Sequence, residues 1–241
     1  MNTLHNFIFN VYPYICLAVF FMGSLARFDR DQYTWKSDSS QLLRKAQLRW
    51  GSNLFHGGIL FLFFGHLFGQ LTPHGLYEIF VTASQKQLIA VVAGGVAGGL
   101  CFIGLTMLLH RRLFDPRIRL TSHRTDIAIL IILWVQLVIG LSTLPASLHH
   151  VSDPQTMLRL AEYLQGIVLM QPNAALVAGI EWHFQAHMLL GMTIFLLFPF
   201  SRLVHVWSGF GTLAYLVRPY QMVRARRLNV PAGQSQPRRV G

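Results

Sequence analysis

The stretch EWHFQAHMLLGMTIFLLFPFSRLVHVW, residues 181–207, determines how we expect this chain to fold. From His187 to His205 it is almost wholly apolar, and it is longer than the roughly 20 residues that a helix needs to cross a bilayer. The two histidines lie 18 positions apart. In an uninterrupted α-helix that spacing is about five turns, so both histidines would lie on one face, about 27 Å apart along the helix axis.

A second apolar stretch, residues 52–71, carries His56 and His66. A histidine in a soluble core is usually a hydrogen-bonded structural residue, but an ionisable side chain inside a bilayer is costly and points to function. Two spanning helices with a histidine near either membrane surface predict two bis-histidine haems. Ligands on both faces of the iron leave no open position for oxygen chemistry, so electron transfer is the expected role. The spacing of His56 and His66 leaves them about 80° from a shared helix face, which helix tilt must absorb.

The composition is that of a membrane protein. Of the 241 residues, 53% are hydrophobic and 12% are charged, against about 25% charged in ordinary soluble domains, and the mean hydropathy is +0.43. The net charge of +11 does not predict nucleic-acid binding, because the basic residues fall in clusters between apolar stretches, as an orientation signal would. Cys16 and Cys101 form no disulfide or metal-binding pattern. The N-terminus has no positive n-region, so its apolar run predicts a retained helix and not a cleaved signal peptide.

The predicted fold class is all-α: a polytopic five-transmembrane-helix bundle enclosing two haems. The expected helices are residues 5–27, 52–71, 87–110, 126–144 and a fifth within 181–207. Pro13 should kink the first helix, and Asp126 should cap the start of the fourth. A short amphipathic helix after Pro154 should lie on the membrane surface. We expect residues 1–227 to form one domain and 228–241 to be a disordered cytoplasmic tail.

Glycines leave one face of the third predicted helix bare. Gly94 and Gly98 are four residues apart, as are Gly95 and Gly99. This spacing favours close packing of a neighbouring helix, and it could equally admit a flat macrocycle.

The distribution of basic residues predicts the orientation. With five crossings, the links on one side hold 18 of the 20 Lys and Arg residues, and the other side holds Lys86 and Arg159. The positive-inside rule then puts the N-terminus outside and the C-terminus in the cytoplasm. By depth, the four histidines sort into an inner pair, His56 with His205, and an outer pair, His66 with His187.

Several stretches resemble one family in order along residues 1 to about 227: the gamma subunit of membrane-bound respiratory nitrate reductase, a dihaem cytochrome b. The stretches are VYPYI, RDQYTW, SNLFHGGIL, FGHLFGQLTPH, RRLFDPR, LLGMTIFLLFPFSRLVHVWS and YQMVRAR. The spacing of all four histidines is similar as well. In that family the haem ligands stand at the positions of His56 with His205 and of His66 with His187, the same pairs as the depth sorting.

The resemblance implies a function. Members of the family sit in the bacterial cytoplasmic membrane and oxidise a quinol, menaquinol or ubiquinol, near the outer haem. They pass electrons inward to an iron–sulfur beta subunit, which feeds a molybdenum-containing alpha subunit that reduces nitrate to nitrite. A lysine at the position of Lys86 is implicated in quinol binding there; a snorkelling interfacial lysine is the alternative.

Two further residues are candidates on physical grounds. Gly65, beside His66, has no side chain and would let a flat quinol ring approach the backbone. Arg202 lies three residues before His205 and would suit a propionate of the inner haem.

Other readings remain open from the sequence. One alternative is a dihaem cytochrome b that anchors another oxidoreductase, such as a hydrogenase or a formate dehydrogenase. A non-redox transporter that uses the histidines as a proton relay is the alternative from another class. His183 and Gln185 are not part of the resemblance, and His183 is either an interfacial histidine or a proton carrier for the quinol.

Overall fold

The computed structural model describes residues 2–30 and 45–208, and within those ranges it contains helices and no strand. Six long helices follow one another along the chain: α1 (Thr3–Arg30), α2 (Lys45–Leu71), α3 (Ala83–Phe114), α4 (Arg124–His149), α5 (Gln155–Val168) and α6 (Trp182–Leu197). The first four, and α6 with the turn that follows it (Trp182–Phe200), are long and apolar enough to cross a membrane. The predicted all-α class with five spanning helices is confirmed.

Helix α1 is irregular just before Pro13. Residues Phe7–Val11 form a π-helical turn, after which the α-helix resumes at Tyr12. Pro13 has no N–H to donate to the carbonyl of Phe9, four residues earlier. The hydroxyl of Tyr163, from α5, donates to that carbonyl at 2.7 Å instead. The irregularity expected at Pro13 therefore takes the form of a π-turn whose free carbonyl has a partner from another helix.

Glycines bring α2 and α3 into backbone contact. A Cβ added at Gly58 would lie 2.7 Å from the carbonyl oxygen of Ala97 and 2.8 Å from the backbone nitrogen of Cys101. One added at Gly104 would lie 2.7 Å from the carbonyl oxygen of Gly51. Such contacts are tighter than any side chain allows, so glycine is required where the helices meet.

The predicted glycine face of α3 has two functions in the structure. Gly98 packs on α4, where an added Cβ would come within 2.7 Å of Leu141. Gly94 meets nothing within 4 Å and lines a cavity. Helix packing and free space for a ligand, the two alternatives open from the sequence, therefore occur side by side.

Asp126 does not cap α4, contrary to the prediction. The helix begins two residues earlier, at Arg124, and its N-cap residue is His123. Asp126 lies in the first turn, where its carboxylate is buried and accepts contacts from two arginines. The sequence could not reveal these arginines, because they come from distant parts of the chain.

Helix α5 begins after Pro154, as predicted, but its apolar face is covered by the protein itself. Tyr163 and Ile167 belong to a buried cluster with Phe9, Ala174 and Val177. Helix α1 and the segment after α5 cover this face, and the place of α5 at the membrane surface stays a prediction.

The fifth span is not one continuous helix up to His205. Helix α6 ends at Leu197, short 3₁₀ turns follow at Phe198–Phe200 and Arg202–Val204, and Ser201 between them is extended. Pro199 explains the break, since it cannot donate a backbone hydrogen bond and its ring crowds the preceding turn. The argument that His187 and His205 share a face after five regular turns is therefore wrong.

The compact unit that contains these helices ends at His205. Of the rest of the chain, the structure describes Val206–Ser208, as part of a helical turn. The predicted tail, 228–241, lies outside the described residues, and the domain boundary at 227 stays a prediction.

Candidate functional site

Each histidine of α2 faces a histidine from the end of the described chain, either in α6 or in the turns that follow it. The rings of His66 and His187 have centroids 6.2 Å apart, and those of His56 and His205 are also 6.2 Å apart. The structure thus brings the four side chains together in the pairs expected from their depth.

All four rings are held through the same nitrogen. Each Nδ1 faces a backbone carbonyl: Ser52 for His56 at 2.8 Å, Leu62 for His66 at 2.7 Å, Gln136 for His187 at 3.2 Å and Arg202 for His205 at 2.6 Å. A carbonyl accepts, so each Nδ1 carries the proton and donates it. The remaining nitrogen, Nε2, is then the unprotonated one, which is the state that binds a metal. Burial also lowers the pKa of His205, which lies beyond the fifth span, and so favours its neutral form.

The separation of each pair fits two ligands on opposite faces of one metal ion. With metal–nitrogen bonds of about 2 Å and ring centroids about 1 Å beyond each nitrogen, two such imidazoles have centroids about 6 Å apart. Within the described residues, no third His, Cys, Asp or Glu joins either pair. A metal there would need its other ligands from a group that is not protein, as a haem supplies.

Helix α4 provides the space that the ring of His187 occupies. A Cβ added at Gly140 would lie 2.6 Å from Cε1 of His187, so only glycine fits opposite this ring. One turn earlier, the Gln136 amide donates to the carbonyl of His187 at 3.0 Å. The same amide nitrogen lies 3.4 Å from Nε2 of His187, which is longer than a good hydrogen bond and leaves that nitrogen weakly engaged. Sequence reasoning missed Gly140; its four-residue spacing from Gln136 was the available signal.

A cavity of about 460 Å³ opens beside the outer pair. His66 and His187 line it together with Gly65 and Lys86, the two residues predicted to contact quinol. Its volume lies in the range of ordinary small-molecule sites, about 300–1,000 Å³. The structure therefore brings all the predicted outer-site residues to one space.

Parts of the cavity wall are bare backbone. A Cβ added at Gly65, Gly69 or Gly94 would meet nothing within 4 Å. These glycines are not used for helix packing, and they leave room for a flat ring to approach the main chain.

Lys86 has an aromatic partner that the sequence analysis did not identify. Its Nζ lies 3.5 Å from the ring centroid of Tyr77, a cation–π contact. Tyr77 belongs to the short helix His74–Tyr77 that joins α2 to α3. This contact holds the lysine at the cavity and is not the arrangement of a freely snorkelling side chain.

Near the inner pair, Arg202 binds a buried acid. Its Nη1 lies 3.4 Å from Oδ2 of Asp126, and Nη1 of Arg112 lies at the same distance from that oxygen. Two guanidinium groups thus lie close to His205, and both are ion-paired to Asp126. The propionate contact of Arg202 stays a prediction.

His183 and Gln185 do not line the cavity. The ring of His183 stacks on Trp182, with centroids 3.9 Å apart, and Gln185 donates to the carbonyl of Ile180 at 2.8 Å. Both side chains make local contacts at the start of α6. These contacts favour the interpretation of His183 as an interfacial histidine over that as a proton carrier.

Fold and site together define the class: a multi-pass helical membrane protein whose spans carry two facing pairs of histidines. The family model described as "Nitrate reductase gamma subunit" matches residues 5–226. The chain belongs to this family, and it is therefore the membrane-anchor subunit of a nitrate reductase, an oxidoreductase complex with further subunits.

Individual relatives agree with the family model. The chain is 48% identical over 227 residues to "Respiratory nitrate reductase 1 gamma chain" of Escherichia coli K12, covering 94% of this chain and all of the relative. The "Respiratory nitrate reductase 2 gamma chain" of the same organism is 49% identical over 228 residues, with the same coverage. "Nitrate reductase gamma chain" of Bacillus subtilis is 37% identical over 221 residues, covering 91% of this chain and 97% of the relative.

Proposed function

We propose that the chain binds two b-type haems, the inner one between His56 and His205 and the outer one between His66 and His187. The observation that carries this proposal is the common arrangement of the four rings: Nδ1 donates to a carbonyl, Nε2 is left for a metal, and the partner ring is 6.2 Å away. When bound, a haem with two axial imidazoles supplies a one-electron redox centre with no open coordination position.

We further propose that the cavity beside His66 and His187 is where quinol is oxidised. Lys86 would donate a hydrogen bond to a quinone oxygen, and the bare backbone at Gly65 would take the flat face of the ring. Near the other membrane surface, Arg202 would contact a propionate of the inner haem while Asp126 keeps the guanidinium in place.

The chain would then carry electrons inward across the membrane. The positive-inside rule supports a cytoplasmic C-terminus, with the N-terminus and Lys86 outside, in a bacterial cytoplasmic membrane. The cytoplasmic partners would be an iron–sulfur beta subunit, which receives the electrons, and a molybdenum-containing alpha subunit, which reduces nitrate to nitrite.

Haem content of ligand variants tests the first proposal. His66→Ala or His187→Ala should remove the outer haem and leave at least part of the inner, whereas His56→Ala or His205→Ala should affect the inner haem. Haem per chain and the absorbance spectrum are the measurements. If His56→Ala and His66→Ala removed the same haem, the pairing would be contradicted. A parent protein without haem absorbance would favour the proton-relay transporter.

A lysine variant tests the quinol site. Lys86→Ala should abolish most quinol-dependent reduction of the haems, because the hydrogen-bond donor is lost, while both haems stay bound. Nitrate reduction driven by an artificial dye that feeds the soluble subunits should not change. Arg159→Ala is the matched control: it removes the other basic residue expected outside, which does not line the cavity. Quinol oxidation by Lys86→Ala at the parent's rate would place the quinol site elsewhere.

A further inference from the structure

A third histidine at the cavity has no part in the function proposed above. His150 is the C-cap of α4, directly after its last residue, and lines the same cavity as Lys86 and His66. Its Nε2 lies 3.7 Å from Oε1 of Glu181, the residue just before α6. The two side chains are 41% and 38% exposed. His150 and Glu181 therefore connect the interior of the cavity with the surface.

The ends of two helices hold His150 at the same part of the cavity as Lys86. The amide of Gln87, which adjoins Lys86 at the start of α3, donates to the carbonyl of Ser147 at 2.6 Å. Ser147 precedes His150 by three residues, about one turn of α4. This bond ties the start of α3 to the end of α4, so both residues are close to the outer end of the site.

Quinol oxidation needs a proton acceptor. Conversion of a hydroquinone to its quinone releases two electrons and two protons; the haem proposed for the outer site would take the electrons one at a time, each being passed on before the next arrives. The titratable side chains among the described residues that line the cavity are His66, Lys86, His150 and His187. Lys86 is a cation and can only donate, and His66 and His187 would use their free nitrogens for the metal.

We propose that His150 accepts the protons released by the quinol and that Glu181 passes them to the outer surface. This inference rests on the proposed quinol site. Nδ1 of His150 donates to the carbonyl of Ala146 at 2.8 Å, so Nε2 is the unprotonated nitrogen. The quinol O–H bond breaks, an N–H bond forms at Nε2, and the imidazolium faces the Glu181 carboxylate. At 3.7 Å the transfer to that carboxylate runs through a bridging water. The ring is neutral again before the second proton leaves the quinol.

The surroundings of His150 define the expected pH response. The charged groups that face it are Glu181, ahead of α6, and Lys86, which shares the cavity from α3; the neighbouring cavity residues of α5, Thr156 and Met157, are uncharged. Asp153 contacts His150 through its backbone N–H and has an exposed side chain. An acceptor must be unprotonated, so quinol oxidation should slow at acid pH.

The test uses the complete complex with its partner subunits and a water-soluble short-chain hydroquinone. His150→Gln should lower quinol-driven haem reduction about a hundredfold or more and remove the decline at acid pH. Haem content and dye-driven nitrate reduction should stay at parent values. Added imidazole should restore part of the rate to His150→Ala, because it replaces the missing base. The matched control is His149→Gln, whose exposed side chain does not line the cavity.

Glu181→Gln gives a second measurement that leaves His150 in place. Without the carboxylate the imidazolium has no onward proton acceptor, so the rate of quinol oxidation should fall. Quinol oxidation at the parent's rate in both His150→Gln and Glu181→Gln would overturn the proton route. If Lys86→Ala still abolishes quinol oxidation in that case, only the route fails; if Lys86→Ala is also without effect, the quinol site itself lies elsewhere.

Discussion

At the scale of single residues, the position of a histidine ring depends on the space that neighbouring residues leave for it. Gly140 shows this best. It carries no chemistry, yet the ring of His187 occupies the place where a side chain at position 140 would be. The position of a ligand is thus fixed by a missing methyl group on another helix, in addition to its own hydrogen bond to Gln136.

Gly140→Ala should therefore cost the outer haem. The added Cβ would lie 2.6 Å from Cε1 and 3.1 Å from Nδ1 of His187, so the ring must move off its partner. We expect haem per chain to fall by about half, with the inner haem's spectrum retained. Gly99→Ala is the control, because its Cβ meets nothing within 4 Å. Two haems with parent spectra in Gly140→Ala would mean that His187 tolerates the displacement.

At the scale of elements, prolines break two spans, and the structure compensates for each. In α1, at the π-turn before Pro13, the carbonyl of Phe9 accepts a hydrogen bond from the hydroxyl of Tyr163. Burial raises the pKa of the Tyr163 phenol, so the hydroxyl keeps its proton and remains a donor. After α6, at the break caused by Pro199, the carbonyls of Pro199 and Ser201 accept hydrogen bonds from the guanidinium of Arg27. Helix α5 thus supports the π-turn of α1, and α1 supports the break after α6.

Tyr163→Phe should destabilise the protein. The Phe9 carbonyl would lose its side-chain partner in a buried site, which costs roughly 1–3 kcal/mol in the free energy of unfolding. Denaturant unfolding in detergent measures the loss. Tyr14→Phe is the control and should cost less, because the Ile167 carbonyl that Tyr14 contacts also accepts the backbone N–H of Met170. Equal losses in the two variants would show that the Phe9 carbonyl does not depend on Tyr163.

At the scale of the whole molecule, the distribution of basic residues predicts the orientation of the chain in the membrane. That orientation in turn determines on which side of the membrane quinol oxidation would release its protons. A quinol oxidised at the outer face would release its protons there while the electrons move inward. Both processes separate charge in the same sense. Nitrate reduction would then contribute to the membrane potential through this subunit.

Thiol labelling tests the orientation. Cys16 and Cys101 are buried, so they give little background with a membrane-impermeant maleimide. In intact spheroplasts, Ser152→Cys, in the exposed turn after α4, should react. Thr121→Cys, exposed in the link before α4, should not react, because the positive-inside rule puts that link in the cytoplasm. The opposite pattern would reverse the orientation of the chain and of the proposed quinol site.

The sequence alone determined the class, the spans and the sorting of the histidines. Apolar length and charge distribution depend only on the order of residues, because the bilayer imposes the same requirements on every helix that crosses it. The resemblance to nitrate reductase gamma subunits was likewise readable from short motifs, and the family model confirms it. The quinol role predicted for Lys86 came from that resemblance, and Lys86 is also one of two basic residues expected on the outer side.

Only the tertiary structure decided what surrounds those residues. Gly140, the Tyr77 ring against Lys86, and the contact of His150 with Glu181 each join parts of the chain that the sequence does not relate. The regular-helix argument failed between His187 and His205, yet the histidines still met their partners. The reason is physical: periodicity describes one helix at a time, whereas a ligand pair depends on the packing of several helices, including their breaks.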